Sequence, residues 1–171
     1  FFLAELQLQI GDEVSARSFY EQAASHESMA GRAYVAMAQL AVERGDAAAA
    51  LELLDRPGVA DAGLATLETR ARLAALIDDQ DGVDRLIEQI RGVVDGSMAA
   101  GIGIEASVVV IEADLGDPTR AVELADVLLA AQPGNIAAND AVAWAAHRNG
   151  DRAVAEEHIE LALRTGTLDP Q

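Results

Sequence analysis

The chain has 171 residues, 51% of them hydrophobic but only 4% aromatic, enough for one compact domain or for about five short repeats. Its formal net charge of −17, with arginine the only strong base and no lysine, repels phosphate backbones and anionic bilayers, so nucleic acid and lipid headgroups are poor partners and no nucleic acid is expected. Cysteine is absent, which removes disulfides, thiolate metal sites and cysteine nucleophiles.

Four Gly-Asp dipeptides punctuate the chain, at Gly11-Asp12, Gly45-Asp46, Gly116-Asp117 and Gly150-Asp151. Five residues after each glycine comes an alanine: Ala16, Ala50, Ala121 and Ala155. Gly11 and Gly45 are 34 positions apart, as are Gly116 and Gly150, and the wider middle gap leaves room for one more unit. A period near 34 is that of stacked helix–turn–helix repeats. In each, glycine can end the first helix in the left-handed region and aspartate can cap the second.

The units fall at about 1–26, 30–58, 62–94, 102–133 and 135–165. In the first, Ala16, Tyr20 and Ala23 share one face of the second helix. The second has a first helix from about Ala30 to Glu43, with Tyr34, Met37, Ala38 and Ala41 on one face; Ala50, Leu51 and Leu54 follow on its partner. The third has no glycine at its expected turn, Asp81; Arg70, Leu73, Ala74 and Ile77 precede the turn, and Leu86, Ile90 and Val93 stand where the other units have smaller residues. Four glycines between Gly92 and Gly103 should shorten or fray the helices there. The fourth unit carries Ala121, Ala125 and Leu128 and ends near Pro133. The fifth carries Val142-Ala143, then Ala155, Ile159 and Ala162.

These large–small pairs on first helices, and the alanine–large–alanine triads on second helices, resemble the tetratricopeptide repeat (TPR) family over nearly the whole chain. The resemblance implies an all-α, right-handed superhelical solenoid of stacked TPR-like repeats; another helical repeat with different interhelix angles is the alternative. In that family the first helices line a concave face that binds protein segments. Carried over position by position, the groove would comprise Arg32, Val35, Gln39, Glu68, Arg72, Val110, Asp140, Trp144 and His147, with Glu5 at its start. The family's carboxylate clamp uses lysine and asparagine; this chain has no lysine, and Asn139 falls on a packing position. Trp144 follows the small packing residue Ala143, a phase that either turns it toward the concave side or packs it on a neighbouring element.

Candidate chemistry is sparse. Aligning Asp78-Asp79-Gln80-Asp81-Gly82 as a calcium loop puts Ile77 at the first ligand position and Asp84 at an apolar one, so the stretch reads as a repeat turn. Gly101-Ile102-Gly103 has Ala106 in place of a third glycine and no preceding strand, so it is no dinucleotide loop. His26, His147 and His158 form no metal-binding spacing, and no nucleophile motif occurs. No cofactor, metal or catalytic residue is expected.

The function expected is therefore a protein-interaction scaffold, not an enzyme, whose partner segment mixes basic and apolar residues. The alternative is a regulatory or substrate-recruiting arm of a larger enzyme or chaperone-like protein. Self-association through the repeat ends is a third expectation, because Phe1, Phe2 and Leu3 open the chain without a preceding helix and Thr165–Pro170 supplies no polar capping helix. The opening lacks a basic leader and an initiator methionine, so it reads as part of a longer protein. No run is long and apolar enough for membrane insertion, and a cytoplasmic location is favoured. Arginine-only basicity with abundant alanine suits a GC-rich bacterial genome.

Overall fold

A computed structural model describes residues 1–59 and 63–164. The Thr165–Pro170 tail and residues 60–62, where the third unit should begin, lie outside these. Among the described residues every regular element is a helix: α1 (Phe2–Gln9), α2 (Glu13–Ala24), α3 (Glu27–Glu43), α4 (Ala47–Leu54), α5 (Leu64–Leu76), α6 (Gln80–Ala99), α7 (Ala106–Leu115), α8 (Pro118–Ala131), α9 (Ile136–Arg148) and α10 (Arg152–Arg164). They divide into two compact units, Phe1–Leu86 and Ile87–Gln171. No helix among the described residues is long and apolar enough to cross a bilayer.

The Gly-Asp turns end one helix and start the next. After α3, Gly45 has φ +74°; its N–H bonds the Val42 carbonyl at 2.9 Å and the Asp46 N–H bonds the Ala41 carbonyl at 2.8 Å. This pair of bonds satisfies carbonyls that the helix end would otherwise leave without donors. The Asp46 carboxylate then accepts the Ala49 N–H at 3.0 Å and caps α4. Asp12 and Asp151 cap α2 and α10 in the same manner, through Ser15 and Val154.

The third turn stands earlier than the sequence suggests. Asp78, not Asp81, is the residue at the bend, with φ +59°, and Asp79 caps α6 by accepting the Gly82 N–H at 2.9 Å. Aspartate tolerates the left-handed region better than most residues, so Asp78-Asp79 replaces Gly-Asp. The shift changes the buried face of α6 to Val83, Ile87, Ile90 and Val94; Val93 is 45% exposed and Leu86 half-buried. Nor does α6 fray at its glycines. It runs without a break for 20 residues through Gly92 and Gly96, the buried stripe outweighing the roughly 1 kcal/mol that each interior glycine costs.

In the first unit α3 is apolar on two sides. Ala33, Ala36, Met37 and Leu40 pack on Ala16, Tyr20 and Ala23 of α2, with Ala4 of α1. On the other side Val35, Ala38 and Ala41 meet Ala50 and Leu54 of α4, Val59, and Leu73 of α5. Tyr20 belongs to the first cluster, and its hydroxyl donates to the exposed Glu5 at 2.6 Å. Arg70 of α5 donates to the Leu54 carbonyl at 2.9 Å, which satisfies an acceptor at the end of α4. Gly31 is needed for space: a Cβ there would lie 2.1 Å from the Gly58 carbonyl oxygen.

In the second unit α7 packs on α8 and α9, α8 on α9, and α9 on α10. The core is again small and aliphatic: Val109 and Ile111 of α7, Ala121 and Ala125 of α8, and Ala141 and Ala145 of α9, all at most 1% exposed. One carboxylate is buried among them. Glu112, 1% exposed, accepts from the Arg91 guanidinium and from the Asp117 N–H at 2.9 Å. The bond to Glu112, reinforced by one to Glu88, holds the Arg91 guanidinium even more firmly protonated than usual against the opposing cost of burial.

Candidate partner-binding site

Four of the nine groove residues expected from the sequence meet in one pocket of the second unit, about 520 Å³ in volume. Val110 comes from α7 and Asp140, Trp144 and His147 from α9, joined by the small Ala143. The period explains the convergence: Val110 and Trp144 occupy the same place in successive first helices, 34 residues apart. The remaining wall is α10, through Arg152, Ala155, Glu156 and Ile159.

The other five expected residues stand on α3 and α5 of the first unit. Arg32 is exposed, its guanidinium 5.3 Å from the centroid of the Phe1 ring. Val35 is 2% exposed and belongs to the second core cluster, so it presents no surface to a ligand. Gln39 is half-buried, Glu68 is buried, and Arg72 is half-buried; Glu68 and Arg72 each have interacting neighbours.

Trp144 lines the pocket and is held in place by residues that do not line it. Its indole N–H donates to Asp114 Oδ1, at the end of α7, at 2.9 Å. Arg148 lies 6.0 Å from the ring centroid and also faces the Asp114 carboxylate at 3.8 Å. On the same helix His147 sets its ring 5.7 Å from that of Trp144. The indole therefore has its polar edge satisfied while 40% of the residue stays exposed.

Polar groups ring the pocket. Arg152 donates to Glu156 at 2.6 Å, and that bond raises the guanidinium above its ordinary value. Asp140 is exposed. Behind the wall, buried Asn139 gives its amide N–H to the Asn135 carbonyl at 2.9 Å, which turns its oxygen toward His158 Nδ1, also at 2.9 Å. His158 is thereby assigned as the Nδ1–H donor, and the bond ties α10 to α9.

Sequence reasoning placed the α9 half of this pocket and missed the α10 half, because Ala155 and Ile159 occupy triad positions that pack elsewhere in the chain. A signal was available. Val35, Val42, Ala47 and Leu51 of the second repeat become Asp140, His147, Arg152 and Glu156 in the fifth, at the fixed interval of 105 that separates Gly45 from Gly150. The change that alters burial is the first, from Val35, 2% exposed, to the exposed Asp140.

The arrangement can hold an apolar side chain between the Trp144 face and Ile159, with carboxylates at the rim. Among the described residues no three His, Asp or Glu side chains are grouped to hold a metal ion. The chain matches no family model, no curated protein and no solved structure.

Proposed function

We propose that the protein is a TPR-like array, its repeats stacked as a right-handed superhelix, that works by equilibrium binding of a protein segment and not by catalysis. The observation that carries this reading is Trp144: an indole anchored through Asp114 yet 40% exposed, in a pocket walled by Val110, Ala143, Ala155 and Ile159. Interface energy concentrates on such aromatic anchors. Ordering the indole in advance lowers the entropy lost when a ligand arrives.

Charge selects the ligand. With a net charge of −17 and exposed Asp140 at the rim, a segment carrying basic and apolar residues approaches faster and in a preferred orientation. The test compares matched basic and acidic peptides of the same apolar content, at low and high salt, by calorimetry. The basic peptide is expected to bind more tightly, with an advantage that shrinks as salt rises. Trp144→Ala should weaken it by about 2 kcal/mol or more. Tighter binding of the acidic peptide contradicts the electrostatic half of this reading; an unchanged affinity in Trp144→Ala contradicts the anchor.

A further inference from the structure

Seven and three residues before the capping aspartate of a turn, each first helix presents two side chains one turn apart. On α3 these are Gln39 and Glu43, on α7 Val110 and Asp114, and on α9 Trp144 and Arg148. Both registers stay accessible where a further first helix follows. The next first helix packs on each of the earlier two, α5 on α3 and α9 on α7. Even so, Gln39, Val110 and Asp114 are only half-buried and Glu43 is exposed. Access to Trp144 and Arg148 is therefore a property of their place in the repeat.

At α7 and α9 these registers bring together a carboxylate, an indole and a guanidinium. The indole N–H of Trp144 makes a well-formed bond to Asp114 Oδ1 at 2.9 Å. Arg148 is held far more loosely. Its guanidinium carbon lies 6.0 Å from the indole centroid, near the outer limit of a cation–π contact. Its Nη1 stands 3.8 Å from Asp114 Oδ1, and its Nη2 donates to the Asp114 carbonyl at 3.4 Å. A charge-assisted bond from arginine to a carboxylate closes to about 2.7–2.9 Å. The pair of Arg152 and Glu156, at 2.6 Å, shows such closure in this chain. With 41% of its side chain exposed, Arg148 holds a favourable place for a guanidinium without filling it well.

We propose that Trp144 and Asp114 recognise an arginine of the bound segment, and that Arg148 is the chain's own occupant of that place, displaced when the ligand's guanidinium arrives. This rests on the protein-binding reading of the Trp144 pocket and names the basic residue that the reading calls for. Trp144 lines the pocket, whereas Asp114 and Arg148 do not. An apolar side chain in the pocket and an arginine at the place of Arg148 would then share the indole. Arginine suits the place better than lysine. Its planar guanidinium stacks on an aromatic face and donates in a fork, whereas an ammonium is a compact, strongly hydrated charge. The exchange also keeps a cation beside Asp114 in both states, so no carboxylate is stranded. Competition from Arg148 sharpens selection, because a basic segment without a well-aimed guanidinium cannot displace it.

The test is calorimetry with two peptides that differ only in carrying arginine or lysine beside the same apolar residues. Each is titrated into the parent chain and into its Arg148→Gln and Asp114→Asn variants. Asparagine at position 114 keeps an oxygen for the indole N–H and removes the charge. The indole cross-peak in a proton–nitrogen correlation spectrum checks that Trp144 stays in place. The arginine peptide is expected to bind the parent at least about threefold more tightly than the lysine peptide. Arg148→Gln should strengthen the arginine peptide about threefold, the scale of one exposed cation–π contact. The lysine peptide should gain less, which separates displacement from the mere loss of a like charge. Asp114→Asn should weaken the arginine peptide about tenfold. An arginine peptide that binds Arg148→Gln no better than the parent overturns the proposal, because Arg148 is then a fixed part of the surface. Equal affinity for arginine and lysine, an equal gain of both peptides in Arg148→Gln, or no loss in Asp114→Asn overturns it too. If the two peptides bind alike and Trp144→Ala abolishes both, this proposal fails and the protein-binding reading stands. If neither peptide binds the parent or Arg148→Gln, both fail.

Discussion

Gly45 and Gly116 end their helices within the same dipeptide for different reasons. Gly45 has φ +74° and open space around it, so its constraint is backbone handedness. Gly116 has φ −107°, and a Cβ there would lie 2.5 Å from Glu112 Oε1. Its constraint is room for a buried carboxylate. Gly45→Ala should cost about 1 kcal/mol. Gly116→Ala should cost more, about 2–3 kcal/mol, because it displaces Glu112 from Arg91 and from the Asp117 N–H. Urea unfolding in a Glu112→Ala background separates the two: the Gly116→Ala penalty should shrink there, and the Gly45→Ala penalty should persist. Tyr20 gives a pH signature. Burial first, then its bond to Glu5 and the Glu5 charge, raise the phenol above its ordinary value. A group whose folded pKa is raised contributes stability that is fully present below the unfolded value, about 10 for tyrosine, and is lost as pH rises toward the folded one. The parent should therefore lose stability above about pH 10. Tyr20→Phe, about 1 kcal/mol less stable at neutral pH through the lost hydrogen bond, should lack this part of the alkaline decline.

At the scale of the helices, the alanine following each turn reports whether a neighbour covers it. Ala121 on α8 is fully buried, and Ala155 in the same register of α10 is half-buried. Ala121→Leu should destabilise by about 1–3 kcal/mol through overpacking. Ala155→Leu should fall within about 0.5 kcal/mol when melted at concentrations low enough to keep the chain monomeric. Equal penalties would contradict the placement of Ala155 in the open wall of the Trp144 pocket. The same registers explain what the sequence made legible. The turns at Gly11, Gly45 and Gly150 announce themselves because glycine is the usual left-handed residue. The third turn does not, since Asp78 performs that role, and placing it at Asp81 moves the inferred buried face from Val83 and Ile87 to Leu86 and Val93. Gly92 and Gly96 read as breakers because local propensity disfavours them, yet the apolar stripe of α6 continues past both. Glu112 is invisible to sequence reasoning: nothing local distinguishes it from the many solvated carboxylates of the other helices.

At the scale of the whole chain, the proposed binding surface is the pocket that α7, α9 and α10 build around Trp144. Val110, Asp140, Trp144 and His147 were accessible to sequence reasoning because the turns at Gly116 and Gly150, 34 residues apart, set the phase of both first helices. Ile159 was not, because its register is a packing register at Tyr20, Leu54, Ile87 and Ala125. The strong acidity works against association between copies and for encounter with basic segments, so salt should move the two processes in opposite directions. The chain has one tryptophan, so its indole N–H gives a single cross-peak in a proton–nitrogen correlation spectrum. Following that peak while a peptide of mixed basic and apolar residues is added tests the central claim, that the pocket at Trp144 is a protein-binding surface. The indole resonance is expected to shift in a saturable manner, and to stop shifting when Ile159→Glu spoils the opposite wall. An indole resonance unmoved while the peptide binds elsewhere on the chain, or while it fails to bind at all, would contradict it.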